Sequence, residues 1–189
     1  MEQLYKNIHQ DIIDRCKEYN REAQFQLYKL YYKAMYNVSL RIVKVPELAE
    51  DIMQESFLKA FEKIESYRGE VSFGLWLKRI VINKSLDEIK KHKQQLFEIN
   101  EQIIPEEVAE EQAEEAFSYS IEDVKKVISE LPDGYRVVLN LYLIEGYDHE
   151  EIAQILGIGN SSSRSQYIRA KRKLKELLIV HKRKTISLN

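Results

Sequence analysis

Apolar residues recur every three or four positions along most of the chain, the spacing of amphipathic helices rather than strands. Ile12, Cys16 and Tyr19 form a stripe on a short helix over 8–19. Phe25, Tyr28, Tyr31, Tyr32, Met35 and Val38 mark a longer one over 22–43. Pro46 stands where a first-turn proline belongs, and the helix it opens carries Leu48, Ile52, Met53, Phe57, Ala60, Phe61 and Ile64 as its buried stripe. Tyr67-Arg68-Gly69-Glu70 reads as a turn, followed by a helix over 72–93 with two apolar arcs. The pattern breaks over 96–120, where Pro105 and dense Glu predict a flexible acidic linker. It resumes at Ile121. Val124, Val127, Ile128 and Leu131 make one stripe, stopped by Pro132-Asp133-Gly134; Val137, Val138, Leu141, Tyr142 and Ile144 make the next, stopped by Glu145-Gly146. The expected fold is all-α, with two helical domains at 1–95 and 121–189 joined by the linker 96–120.

The stretch from Asp148 to Leu178 predicts two helices around a tight turn. Asp148 followed by Glu151 is a capping pattern, and Ile152, Ala153 and Leu156 give the first helix its apolar face. Gly157-Ile158-Gly159 ends it. On the second helix, from about Ser161, a step of about 100° per residue gathers Arg164, Ser165, Ile168, Arg169 and Arg172 on one side. Ser163, Tyr167, Ala170, Leu174, Leu177 and Leu178 fall on the other. A basic, hydroxyl-rich front and a mostly apolar back suit a recognition helix that packs on its own domain and enters a major groove. A solvated cationic helix on an unrelated bundle would show the same charges, but without the short helix and glycine turn before it.

Composition sharpens this picture. With 44% apolar residues the chain can bury a core, and only 6 Gly and 3 Pro favour long helices. No run approaches the roughly 18 apolar residues of a membrane span, and the first residues lack the apolar centre of a secretory signal, so a cytoplasmic protein without membrane insertion is expected. One cysteine, Cys16, excludes an intrachain disulfide. Four scattered histidines, His9, His92, His149 and His181, offer no metal-ligand spacing and read as surface side chains. No cofactor is expected. A net charge of −2 argues at first against nucleic acid. Its distribution reverses that: 98–123 holds ten acidic side chains and no basic one, whereas 124–189 holds twelve basic and seven acidic. Such segregation speaks of partners. The glutamates that might suggest an enzyme cluster in the linker, where no pocket would shift their titration.

Two further stripes carry chemistry. Asp51, Gln54, Glu55 and Lys59 share a polar face of the third helix, which is either solvated or a docking surface. Trp76, Arg79, Asn83, Asp87 and Lys90 run along the fourth. An indole, an amide and cations in a row can stack on unpaired bases and hold a strand's phosphates, although Trp76 could equally be a core residue whose ring reaches the surface.

Together these segments resemble the extracytoplasmic-function (ECF) group of bacterial RNA polymerase sigma factors, over nearly all the chain from about Glu22. AEDIMQESFLKAF resembles the segment that docks on the clamp helices of the polymerase's largest subunit. YRGEVSFGLWLKRIVINKSLDEIKKHK resembles the −10 recognition and melting segment, and LPDGYRVVLNLYLIEGYDHEEIAQILGI with the helix after it resembles the −35 reading domain. The resemblance implies that Asp51, Gln54, Glu55 and Leu58 dock on core polymerase. It implies that Tyr67, Trp76 and Asn83 engage the −10 element, Tyr67 by helping to hold a flipped base, and Arg79 and Lys90 of the same stripe are expected to join them. It implies that Arg164, Ser165, Ile168 and Arg169 read −35, and Ser161, Ser162 and Arg172 on the same helix are expected to join them. The expected partners are core RNA polymerase and promoter DNA, and the family leaves room for an anti-sigma factor, though no residue specifies one. Three positions depart from the family pattern. Gly159 replaces a Ser or Thr cap, Ser161 replaces a Gly, and Ser163 replaces an apolar residue; Asn160 is the alternative cap. A stand-alone helix-turn-helix repressor would leave the N-terminal segments unexplained, and a sigma-like sequestering protein would not need the basic helix face.

Overall fold

A computed structural model describes residues 8–92 and 119–187. The chain divides into two compact units, 1–94 and 95–189, each with its own core. Among the described residues there are eight α-helices and no strand.

In the first unit, α1 (Gln10–Lys17), α2 (Arg21–Val43), α3 (Pro46–Glu62) and α4 (Phe73–His92) pack around α2, which touches each of the other three. Asn20 caps α2 by accepting from the Ala23 amide at 2.9 Å, and Lys44 closes it in a left-handed conformation. Pro46 occupies the first turn of α3, as expected. Ile13, Leu27, Ile42, Ile52, Phe57, Phe73, Leu77 and Ile82 form the core. Ser39 of α2 and Ser85 of α4 meet at 3.1 Å, both fully buried. Ser85 also donates to the Val81 carbonyl one turn back, so its hydroxyl is satisfied where a larger side chain would hold the helices apart.

The stripe expected on α2 meets its buried face at Met35 and Val38 but runs along the edge of that face in the first half of the helix. Phe25 is 57% exposed under the Lys29 ammonium, and Tyr28, Tyr31 and Tyr32 are half-buried. The deepest positions are Ala23, Leu27, Met35, Val38 and Ser39. A helix flanked by three others buries a wide arc, and its small residues take the closest approaches while long amphipathic rings lie along the edges.

In the second unit, α5 (Ile121–Glu130), α6 (Asp133–Leu139), α7 (His149–Leu156) and α8 (Asn160–Ser187) enclose a smaller core of Val127, Leu131, Val138, Leu139, Leu141, Ile152 and Ala170. A reciprocal box of Ser120 and Asp123 starts α5. Between α6 and α7 the chain widens into a π-helical stretch, Asn140–Ile144, in place of the plain helix end expected there. The Glu145 amide reaches back to the Asn140 carbonyl, and Gly146, at φ 79°, releases the chain. α8 runs on to Ser187, beyond the expected end at Leu178. All but the last two residues of the expected linker lie outside the described residues.

Candidate nucleic-acid and polymerase interfaces

The helix-turn-helix is built as its sequence dictates. Asp148 accepts from the Glu150 and Glu151 amides at 2.8 Å each, and Glu151 accepts from the Asp148 amide at 2.9 Å. Gly157 ends α7 at φ 69°, and the Ile158 amide closes onto the Ala153 carbonyl at 3.0 Å. α8 then begins at Asn160, with the Gly159 carbonyl accepting from the Ser163 amide. Gly159 therefore occupies the cap position. The expected substitute, Asn160, does not cap: its side-chain oxygen is buried and accepts no hydrogen bond.

Ser163, Gln166 and Ala170 are buried against the rest of the unit, with Tyr167, Leu174 and Leu177 beside them. On the opposite side Ser161, Arg164, Ser165, Ile168 and Arg172 are exposed, and Ser162 and Arg169 are half-buried. Ile168 is 55% exposed. The front expected from helical arithmetic is thus the front of the folded helix, and a duplex approaching it meets cations, hydroxyls and one apolar side chain.

The first unit presents two other faces. Asp51, Gln54, Glu55 and Leu58 all stand exposed on α3, with Leu58 at 64%. Gln54 donates to Glu50 at 3.2 Å, and Glu55 forms an ion pair with Lys84 of α4. On α4 the side chains of Arg79, Asn83, Asp87 and Lys90 form an exposed stripe, and Trp76 is half-buried at its head. Tyr67 is placed differently from the role its resemblance implies. It is 4% exposed, its hydroxyl donates to the Val71 carbonyl at 2.6 Å, and its ring meets Phe73 edge-on at 5.6 Å and Trp76 at 5.3 Å. In this conformation it supports Trp76 from below, and a base could stack on it only after the loop opens.

One cluster escaped the sequence reading. His149, expected as a surface side chain, is half-buried, and its Nδ1 shares a hydrogen bond of 3.0 Å with the buried Ser163 hydroxyl. Its ring stacks on Tyr142 at 4.8 Å and meets the edge of Tyr167 at 5.4 Å. Burial, and secondarily the adjacent Tyr142, push the Tyr167 phenol above its ordinary range. The departure at Ser163 was visible in the sequence; a partner fourteen residues away was not.

A helical unit with an exposed polar face on α3 and an exposed polar stripe on α4, followed by a helix-turn-helix unit, is the arrangement of a transcription initiation factor of the sigma type. Comparison with known proteins agrees. Residues 27–95 match the family model Sigma-70 region 2, and 121–174 match Sigma-70, region 4. The chain is 31% identical over 153 residues to the ECF RNA polymerase sigma factor SigM of Bacillus subtilis, covering 80% of this chain and 93% of that one. It is 28% identical to SigW of the same organism, over 88% of this chain and 94% of that one. Among solved structures, the sigma factor RpoE in complex with the anti-sigma factor NepR from Bartonella quintana aligns with a TM-score of 0.57 and 25% identity, covering 82% and 96%. The chain belongs to the ECF family of RNA polymerase sigma factors. It is an alternative sigma factor that directs promoter-specific transcription, with core RNA polymerase and promoter DNA as its partners.

Proposed function

We propose a division of labour among the three faces. Asp51, Gln54, Glu55 and Leu58 of α3 dock on the clamp helices of the polymerase's largest subunit. Trp76, Arg79, Asn83 and Lys90 of α4 hold the opened −10 strand, with Tyr67 joining once its loop moves. Ser161, Ser162, Arg164, Ser165, Ile168, Arg169 and Arg172 of α8 read −35 as duplex. The observation that carries this reading is the segregation on α8, whose basic front is exposed while Ser163, Gln166 and Ala170 are buried behind it.

The mechanism needs no covalent chemistry, and initiation factors of this family are not catalysts in themselves. Unstacking a promoter base costs a few kcal/mol, and its capture on an aromatic and cationic surface offsets that cost. Two weak readers become one tight reader when polymerase fixes their separation. The same reading places the protein beside polymerase in the cytoplasm; among the described residues no helix is long and apolar enough to cross a membrane. The structure of RpoE with NepR supports an anti-sigma antagonist for this chain too, one that would cover the α3 face. The three segments 1–95, 96–120 and 121–189 would then be the −10 module, the tether and the −35 module.

The test is run-off transcription by core polymerase with and without this protein, on a genomic fragment library. New starts sharing −35 and −10 elements are expected. Substituting Arg169 should relax selection at −35 and substituting Asn83 should relax it at −10. Binding to core without any new start would overturn the reading.

A further inference from the structure

A recognition helix reads bases only if its roll about its own axis is fixed. Side-chain tips lie about 5–6 Å from a helix axis, so a roll of about 20° shifts them by about 2 Å, enough to break a bidentate hydrogen bond to a base. Apolar contacts are non-directional and restrain roll weakly. Near the reading end of α8 the buried side chains are Ser163, Gln166 and Ala170, and the one bulky group on its back is the half-buried Tyr167.

Resting on the assignment of α8 to −35, we infer that His149 and Ser163 are positioning residues that set the roll of α8 against α7. The Ser163 hydroxyl is fully buried and meets His149 Nδ1 at 3.0 Å. His149 is the first residue of α7, anchored through the capping box of Asp148. Its ring is clamped between two others. Tyr142, on the π-helical stretch, lies nearly parallel to it at 20°, and Tyr167, one turn beyond Ser163 on α8, meets it at 66°. The Tyr142 and Tyr167 ring centres lie 4.5 Å apart, closing the triangle, and the Lys171 ammonium lies 5.7 Å from the Tyr167 ring. Three elements therefore meet around one directional bond, made at the residue just before Arg164.

Stability alone does not require this arrangement. A buried hydroxyl and imidazole could be exchanged for apolar groups of similar shape at little cost or with a gain. A polar pair in that position supplies register instead.

The test uses full-length protein as holoenzyme, comparing run-off yield from a promoter with an intact −35 element against the same promoter with that element scrambled. His149→Phe keeps the ring stack and loses the bond; Ser163→Ala loses the bond from the other side; Ser163→Thr retains the hydroxyl. Each of the first two should lower −35 discrimination about fivefold or more. The double variant should be no worse than either, since both remove one interaction. Ser163→Thr should keep the wild-type ratio, and melting of the second unit should be unchanged or raised in the double variant, where neither partner is left unpaired. Discrimination that stays within twofold, or falls only in step with the melting temperature, overturns the inference while leaving the −35 assignment standing. A wild-type holoenzyme indifferent to the −35 sequence removes that assignment, and this inference with it.

Discussion

Arg136 tests how the second unit holds together. Its side chain is 2% exposed, and Nη1 lies 2.5 Å from Asp133 Oδ1 and donates to the Leu131 carbonyl at 3.2 Å. It thus ties the end of α5 to the start of α6. Arg136→Ala removes the cation from beside a carboxylate whose side chain is only 9% exposed. Breaking a buried pair in this way costs about 3–5 kcal/mol. A unit of this size has a total stability of roughly 3–10 kcal/mol at the usual 0.05–0.15 kcal/mol per residue, so one substitution removes between a third and all of it. Replacing both partners, as Arg136→Met with Asp133→Asn, should recover most of the loss, because no uncompensated charge is left behind. A deficit of about 0.3–1 kcal/mol should persist, since the Asp133 carboxylate also favours the N-terminus of α6.

Trp76 makes the assay selective. It is the only tryptophan and lies in the first unit, so its fluorescence follows that unit while far-ultraviolet circular dichroism follows both. In urea, Arg136→Ala should leave the fluorescence transition in place and move an early part of the dichroism transition to lower denaturant. The variant should still bind core polymerase but lose dependence on the −35 element. A destabilisation below about 1 kcal/mol, or a double variant as weak as the single one, would refute the claim that a buried charge pair organises this corner.

Other outcomes follow from local structure. Burial pushes the Cys16 thiol up to about 11, against the opposing charge of Arg15, so at pH 8 thiol reagents should label the native protein only as fast as the first unit opens; immediate stoichiometric labelling would contradict its burial. Hydrogen bonds with Ser120 hold the Asp123 carboxyl below its ordinary range, so its capping contribution is present above about pH 4 and is lost as pH falls through the lower native value; amide exchange at the start of α5 should show this, and Asp123→Asn should abolish it. Asp148→Ala should weaken α7 by about 1 kcal/mol and Asp148→Gly by only part of that, read as exchange protection at residues 150–156. Gly157→Ala should cost about 1 kcal/mol because its φ of 69° is left-handed, whereas Gly159→Ser should gain a few tenths by supplying the missing cap, its new Cβ meeting only the Ser161 and Ser162 hydroxyls at ordinary distances.

What the sequence made legible was what repeats. The three- and four-residue stripes marked the helices, the Asp148–Glu151 spacing marked the start of α7, and angles on an ideal helix separated the front of α8 from its back. The rest depended on contacts that periodicity does not carry. Phe25 fell on the expected apolar stripe by spacing, yet helix crowding placed Ala23 and Leu27 in the core instead. Tyr67 sits in a turn, where nothing in the sequence says which side of the chain a ring takes. The π-helical stretch has no 3.6-residue signature. His149 looked like a surface residue because imidazole is polar, and only the fold brings Tyr142, Ser163 and Tyr167 around it.

The two units bury polar groups in different ways, and the difference follows their tasks. In the first, Ser56 and Ser85 return their hydroxyls to carbonyls one turn back on their own helices, and Ser39 meets Ser85. These bonds satisfy the hydroxyls and let helices approach, while the apolar core of α1–α4 supplies the cohesion. A unit with the proposed role of docking on polymerase requires little more than a stable shape. In the second unit, buried polar groups again join separate elements, as Ser39 and Ser85 do, but through larger side chains: Arg136 reaches the Leu131 carbonyl, and Ser163 reaches His149. Such bonds add little net stability but fix direction, and leaving one half-made is costly. On the proposed assignment, a helix that sets Arg164 and Arg169 against base edges needs direction more than cohesion. A second unit redesigned with a wholly apolar interior should therefore melt higher and select its −35 element less well.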